Sequence, residues 1–324
     1  MSDSSYAYAS GRVSGLEDSL VSRRVWHQLL AAEDRADVLR ILGETWYASL
    51  LQGDGSLEKA FRTAVAKAED ELRDLSRSEA FTRGILQRRD VRNARYVWKN
   101  LSAGGAGEVE TEPAGTIPVE DLIRSWGDSS EAEGLPESFR HCLERIHEMS
   151  RPSAAELDGE LDRLAAHVES RNLGGMEEPL GSLPGVKIEL RNFLTAARSR
   201  DEGISPSVLE GMILEGGFHS PADVSEAFRS RKLPEVLAET AGFQEASKAL
   251  EEGIEGGSFL GYQRESDILI MDILERASSN MFSPGPLAAY VLHRELEVSH
   301  LKLITAGKSA GMDSRRLRAR IPRG

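Results

Sequence analysis

The sequence is poor in features that mark secreted and membrane-spanning proteins. Its 1 cysteine, Cys142, cannot form an internal disulfide, which suits a reducing compartment. The opening residues MSDSSYAYAS have neither a basic nor an apolar segment, so we expect no signal peptide. The longest charge-free run, residues 277–293, is interrupted by Ser, Asn, Pro and Gly, whereas a spanning helix needs roughly 20 mostly apolar residues. We therefore expect a soluble cytoplasmic chain.

An excess of basic charge is also missing. The chain carries 53 acidic and 40 basic residues, for a formal charge of −13. Such a surface repels phosphate backbones, which argues against binding of nucleic acid.

No segment shows the period-two alternation of β-branched residues that a half-buried strand requires. Instead, residues 25–51 and 58–75 place apolar residues three and four positions apart among good helix formers. Aromatic residues make up only 6% of the chain, which suits helices packed through Leu, Ala, Val and Ile. The sequence therefore predicts an all-α fold.

One pattern occurs three times. RNARYVWKNLSAG (92–104) is followed by RNFLTAARSRDEG (191–203) and SHLKLITAGKSAG (299–311), at intervals of 99 and 108 residues. Each copy predicts an amphipathic helix, and the Gly that ends it is expected at the left-handed C′ position. Asn is unusual inside a helix, so Asn93 and Asn192 are expected to bond to a neighbouring helix or chain break. The intervals predict three helical units, residues 1–112, 113–212 and 213–324.

A second pattern follows the first two copies. Pro118 with Glu120, and Pro221 with Asp223, combine proline with a carboxylate two residues later. Proline at the first helical position and an early acid are typical of a helix start. Similarly, Ser153 and Glu156 predict a capping box.

Candidate reactive groups are weak. His293, Glu297 and His300 share a helical face and could hold zinc, but they lack a fourth ligand and also fit a polar stripe. The stretch AGKSAG (306–311) ends like a phosphate-binding loop but follows a helix and lacks the first Gly. Cys142 is expected to be a small core residue. We predict no catalytic, cofactor-binding or metal-binding residue.

The last ten residues, RRLRARIPRG, hold five arginines. They fit a helix with cations near its negative end. Alternatively, they form a docking strip for an acidic partner or anionic headgroups. The arginines that we single out are Arg315, Arg316, Arg318 and Arg320.

Three segments resemble one known family. YAYASGRVSGLEDSLVS (6–22), QRRDVRNARYVWKNLSAG (87–104) and PLAAYVLHRELEVSHLKLITAGKSAGM (286–312) together resemble the C subunit of the archaeal and bacterial A/V-type rotary ATPases, whose eukaryotic relative is the d subunit. The resemblance runs nearly end to end. It departs from the family pattern at Ser10-Gly11 and at Ser299-His300.

The resemblance implies three similar all-helical units in a pseudo-threefold funnel or cup. It also implies a non-catalytic central-stalk rotor protein, present once per complex. This protein would couple a central shaft of D- and F-type subunits to the membrane proteolipid ring, for ATP-linked transport of protons or sodium. It would bind no nucleotide and lie on the inner face of the cell membrane. Pro118, Glu120, Pro221, Asp223 and the four arginines are the interface residues that we predict for it.

Two alternatives are compatible with the sequence. A threefold helical repeat would equally permit a scaffold of another assembly, which would not co-purify with shaft subunits and a ring. A metal-dependent helical enzyme using the His293 cluster would contain metal after purification.

Overall fold

The all-α prediction is confirmed. The computed structural model describes residues 6–52, 56–105, 115–127, 129–149, 151–200 and 202–322. The structure is 76% helical and has no strand in these ranges. Within these ranges, short loops and three 3₁₀ turns connect α-helices, so the core is built by packing helix on helix.

The chain forms two compact units. The middle unit comprises residues 78–177, and the N/C unit comprises residues 1–77 together with 178–324. The described part of the middle unit contains four α-helices, α5 (Glu79–Ser102), α6 (Val119–Gly127), α7 (Glu137–Glu148) and α8 (Ala154–Leu173).

The N/C unit contains the remaining helices. Its first part is α1 (Ala7–Glu17), α2 (Arg23–Ala31), α3 (Arg35–Leu42) and α4 (Leu57–Leu75). Its second part is α9 (Leu183–Ser199), α10 (Pro206–Met212), α11 (Pro221–Ser230), α12 (Leu233–Glu239), α13 (Gln244–Gly256), α14 (Leu260–Ser278), α15 (Gly285–Ser309) and α16 (Ser314–Arg320).

The core of the middle unit lies between α5 and the other three helices. Trp98 is fully buried, packs edge-on against Phe139 and donates its indole N–H to the carbonyl of Leu122 at 3.0 Å. Cys142 lies in the same apolar cluster, as predicted. Buried aromatic residues with a satisfied polar atom are strongly stabilising.

In the N/C unit, the N-terminal helices pack on the C-terminal ones. One apolar cluster joins Trp26 and Leu29 of α2 and Phe61 of α4 to Leu301 and Ile304 of α15. In the middle unit, Ser153 and Glu156 form the predicted capping box at the start of α8.

The repeated pattern corresponds to a repeated register. Three long helices, α5, α9 and α15, fully bury Ala94, Phe193 and Leu301, and again Val97, Ala196 and Ile304 three residues later. Three short helices, α2, α6 and α11, fully bury Trp26, Leu122 and Val224 four residues after their N-terminal boundary residues. This agreement supports repetition, while the three-unit division and the pseudo-threefold arrangement stay predictions.

The repeated glycines are left-handed, with φ of 80° at Gly104, 66° at Gly203 and 68° at Gly311. Gly104 and Gly311 directly follow the C-cap residues of α5 and α15, as predicted. Gly203 differs, because α9 already ends at Ser199 and Gly203 lies in the turn beyond its C-cap.

Candidate functional site

One buried arrangement occurs at three places in the fold, and we call it a carboxylate joint. In each case an Asp or Glu on a long helix accepts hydrogen bonds from backbone N–H groups in the turn that leads into a short helix. The donors lie two or three residues before the first residue of that short helix. The carboxylates are Asp90 on α5, Glu189 on α9 and Glu297 on α15, and the short helices are α6, α11 and α2. Their spacing along the chain equals that of the sequence repeat.

The Asp90 joint uses neutral donors. The Asp90 carboxylate accepts the N–H of Thr116 at 2.7 Å, the N–H of Ile117 at 3.0 Å and the Thr116 hydroxyl at 2.5 Å. Burial raises the pKa of Asp90, and these hydrogen bonds only partly oppose the shift. Gly115 lies so close that a Cβ there would overlap with the carboxylate.

The Glu189 joint adds a histidine. Glu189 is fully buried and accepts the N–H groups of Phe218 and His219 at 2.9 and 3.2 Å. The Nδ1 of His219 contacts the other carboxylate oxygen. Gly217 again permits the approach, because a Cβ there would lie 2.6 Å from the Glu189 Oε2.

The Glu297 joint is an ion pair. Glu297 accepts the N–H of Val21 at 2.6 Å and the Tyr47 hydroxyl at 2.8 Å, and it pairs with the guanidinium of Arg294. Arg294 also donates to the carbonyl and hydroxyl oxygens of Ser19, the residue that stands where the other joints have glycine.

Both charges of this pair are buried. Arg294 has no exposed surface, and its Cζ lies 4.5 Å from the ring centre of Trp46. Burial alone would lower the pKa of Arg294, but the Glu297 carboxylate raises it above the ordinary value. Burial and the same carboxylate raise the pKa of Tyr47 well above its ordinary value. Arg294 therefore stays charged and the Tyr47 phenol neutral at physiological pH.

The residues three positions after each joint are buried too. Asn192 donates to the Leu214 carbonyl at 2.8 Å and accepts the Leu214 N–H at 2.9 Å. Leu214 lies in the connection between α10 and α11, so the predicted bond from Asn192 to a break between helices is confirmed. His300, at the matching place on α15, contacts Asp267 at 2.9 Å. Burial raises the pKa of Asp267, but His300 and Arg320 outweigh it and leave that pKa below its ordinary value. These contacts attach α9 to the segment between α10 and α11, and α15 to α14.

One known protein family covers nearly the whole chain. The family described as ATP synthase (C/AC39) subunit matches residues 9–320. The chain belongs to this family. The C subunit of the A-type ATP synthase of Methanococcoides burtonii is 21% identical, over 99% of this chain and 95% of that protein. The C subunit of the V-type ATP synthase of Thermus thermophilus is 22% identical, over 92% and 93%.

Family membership makes the chain a component of an A/V-type ATP synthase, a complex of several different subunits. The resemblance seen in the sequence is thereby confirmed. None of the helices in the described ranges combines the length and hydropathy needed to cross a membrane.

The joints lie next to two of the sequence-predicted interface pairs. Pro221 is the first residue of α11, and Asp223 closes a capping box with Ser220 whose hydrogen bonds lower the pKa of Asp223. Pro118 comes one residue before α6 instead of within it, and Glu120 lies in the first turn. Pro118, Glu120 and Asp223 are exposed, and Pro221 is half-buried.

The C-terminal arginines lie on α16. Arg318 and Arg320 occupy its last turn, in agreement with the helix-end interpretation. Arg320 pairs with Asp267 and is largely enclosed, whereas Arg315, Arg316 and Arg318 are exposed. The structure thus separates one structural arginine from three surface ones.

The candidate metal cluster of the sequence has other partners. Glu297 is engaged by Arg294 and Tyr47, and His300 by Asp267. Across the described ranges, no group of three or more His, Cys, Asp or Glu side chains could hold a metal ion. Burial raises the pKa of Cys142 to about 12, so its thiol is a poor nucleophile at neutral pH.

Sequence reasoning missed Asp90 and Glu189, and considered Glu297 only as a member of a candidate metal cluster that it did not adopt. A usable signal was present: an acidic residue lies three positions before Asn93, Asn192 and His300 in all three copies. Its meaning depends on donors in other segments, which the pattern alone does not reveal.

Proposed function

We propose that this chain is the central-stalk rotor subunit of its ATP synthase and couples the central shaft to the membrane proteolipid ring. The observation that carries the proposal is the family match over residues 9–320. Its partners would be the D- and F-type shaft subunits and the ring, with one copy per complex on the inner face of the cell membrane. The work would be done by interfaces, during ATP-linked transport of protons or sodium, without catalysis in this chain.

The carboxylate joints support a mechanical role. A part that transmits torque must resist local opening, and buried, fully bonded contacts are the last to open. Each joint attaches a short helix to a long one through bonds that exclude water, as at Glu189 and Glu297. A load applied to a short helix would therefore pass to a long helix instead of bending the loop between them.

We propose that the starts of α6 and α11 contact the ring. Each follows a joint directly, and each presents exposed polar groups, Glu120 and Asp223, beside its positive end. Phe218, which is 53% exposed just before α11, would add apolar contact area.

The test is reconstitution with the purified proteolipid ring. Replacing Pro118 and Pro221 together by Gly should weaken ring binding at least several-fold, because both helix starts lose their preset backbone angle. Pro234→Gly, which changes a proline at the start of α12, is the matched control. Unchanged ring affinity in a folded double variant would remove these helices from the interface.

The rotor assignment has its own test. The full chain should co-purify with the shaft pair and the ring, and a chain that joins neither would be a scaffold elsewhere.

Replacing Arg315, Arg316 and Arg318 by Gln tests the arginine strip. If the strip docks an acidic surface of the shaft, the variant should lose most of the salt dependence of shaft binding.

A further inference from the structure

A polar cleft in the N/C unit lies apart from the carboxylate joints. It has a volume of about 510 Å³, within the range of small-molecule sites. Its lining combines Arg200, Arg229 and Arg231 with the apolar side chains of Phe228, Ile254 and Phe259. The cleft forms where the C-terminal ends of α9, α11 and α13 meet the start of α14.

The charge of this cleft is opposite to that of the chain. Among the residues that the structure describes, three arginines line it and no carboxylate does, in a protein of net charge −13. Arg229 pairs with the exposed carboxylate of Glu226. Arg200 and Arg231 form no ion pair within the part of the chain that the structure describes. Two guanidinium groups therefore remain available to an anion.

Arg231 is placed there against its backbone preference. It ends α11 with φ 62° and ψ 32°, and Lys232 closes the turn by donating to the Ala227 carbonyl at 2.8 Å. Glycine ordinarily occupies this left-handed position, because a side chain there is unfavourable. Among non-glycine residues in the described ranges, only Arg231 has positive φ. The turn does not require arginine, so the side chain's place in the cleft gives a reason for it.

The arginines at the ends of α9 and α11 also have a purely structural explanation, which the experiment must distinguish from ligand binding. The carbonyl groups that end α9 and α11 carry partial negative charge, and nearby guanidinium groups stabilise them. On that view, Arg200 and Arg231 contribute stability and the cleft takes no ligand.

We propose that the cleft binds a phosphate-bearing anion. Guanidinium groups match phosphate oxygens with paired N–H donors, and a phosphate offers three free oxygens as a monoester or two as a diester, arranged around a tetrahedral phosphorus. The phenyl rings of Phe228 and Phe259 and the side chain of Ile254 would contact the organic part attached to the phosphate. Free phosphate compounds and the headgroup of an anionic phospholipid share this chemistry. The proposal does not depend on the rotor function.

The experiment uses the purified full chain at constant ionic strength. Inorganic phosphate and glycerol 3-phosphate are titrated by calorimetry, and their effect on the melting temperature is recorded. Vesicles of phosphatidylglycerol with phosphatidylcholine, and of phosphatidylcholine alone, are tested by co-sedimentation. The variants are Arg231→Gly and Arg200→Gln. Arg276→Gln is the control, since Arg276 is exposed on α14 and pairs only locally with Asp272.

Arg231→Gly separates the two explanations. Binding predicts about tenfold weaker phosphate affinity, together with an unchanged or higher melting temperature without ligand, because glycine relieves the left-handed backbone. Arg276→Gln should bind as the native chain does. Binding of the small phosphates alone identifies a soluble ligand, and binding of phosphatidylglycerol vesicles that depends on Arg231 identifies a lipid. The proposal is overturned if no phosphate probe binds, or if the double variant that combines Arg200→Gln with Arg231→Gly binds the phosphate probes normally.

Discussion

The Asp90 and Glu297 joints share one geometry but differ in their electrostatics. Both hold the backbone that leads into a short helix, α6 or α2. Asp90 faces backbone N–H groups and the Thr116 hydroxyl, whereas Glu297 faces the buried charge of Arg294. A position that requires only an acceptor can thus be filled by a carboxylate bonded to neutral donors or by half of an ion pair.

The difference has energetic consequences. The groups that donate to Asp90 are neutral, and an amide oxygen could accept hydrogen bonds from them as well. Removing Glu297 would leave a guanidinium uncompensated among Trp46, Tyr47 and Tyr290. Loss of one partner from a buried ion pair is among the more damaging single changes. We therefore expect joints that look alike to respond very differently to substitution.

The largest effect is expected from Glu297→Ala. It should lower the free energy of unfolding by about 3–5 kcal/mol, because Arg294 is left buried and unpaired. The measurement is urea-induced unfolding followed by circular dichroism. Glu58→Ala, which breaks an exposed pair with Lys302, should change it by at most about 1 kcal/mol. Equal losses in the two variants would show that the Glu297 joint is no stronger than a surface contact.

An intermediate effect is expected from Gly115→Ala. The new Cβ would overlap with the Asp90 carboxylate, and forcing the two apart should lower the free energy of unfolding by about 1–3 kcal/mol. Gly127→Ala is the control, since a Cβ there meets nothing within 4 Å. The same unfolding measurement serves for both. If Gly115→Ala behaves like the control, the close approach at this joint is not required.

The smallest effect is expected from Asp90→Asn, at about 1 kcal/mol or less near pH 7, because an amide oxygen can still accept the two N–H groups. Its pH dependence is the sharper test. The pKa of folded Asp90 lies above its ordinary value of 3.8, so the stability it contributes is present below that pH and is lost as pH rises through the folded pKa.

The destabilisation by Asp90→Asn should therefore be larger at pH 3.5 than at pH 7. Unfolding measured across that range decides the point. A destabilisation that grows with pH would mean that the joint favours the ionised carboxylate.

Local features of the fold could be read from the sequence because their causes are local. The Ser153 box and the left-handed Gly104 and Gly311 depend on neighbours within a few residues. The need of Asn192 for a partner could also be predicted, since an amide in mid-helix must be bonded, but the partner itself, Leu214, lies 22 residues away. Period and composition together sufficed for the all-α fold.

The joints and the arginine cleft could not be derived in this way. The donors to Asp90 and Glu189 are backbone groups about 30 residues away, and any residue except proline supplies such a group. Arg231 resembles an ordinary surface arginine until the backbone angle and the cleft are known. The spacing along the sequence located the three copies of the repeated pattern. Which backbone segment the carboxylate of each copy binds could be learned only from contacts in the folded structure.

The bond from Val21 to Glu297 spans 276 positions. While the ribosome makes this protein, the earliest helices emerge long before the residue that completes their attachment exists. Helices α2 and α4 are consequently secured only after α15 has been made, and a nascent chain truncated before α15 would expose their apolar faces to chaperones and proteases.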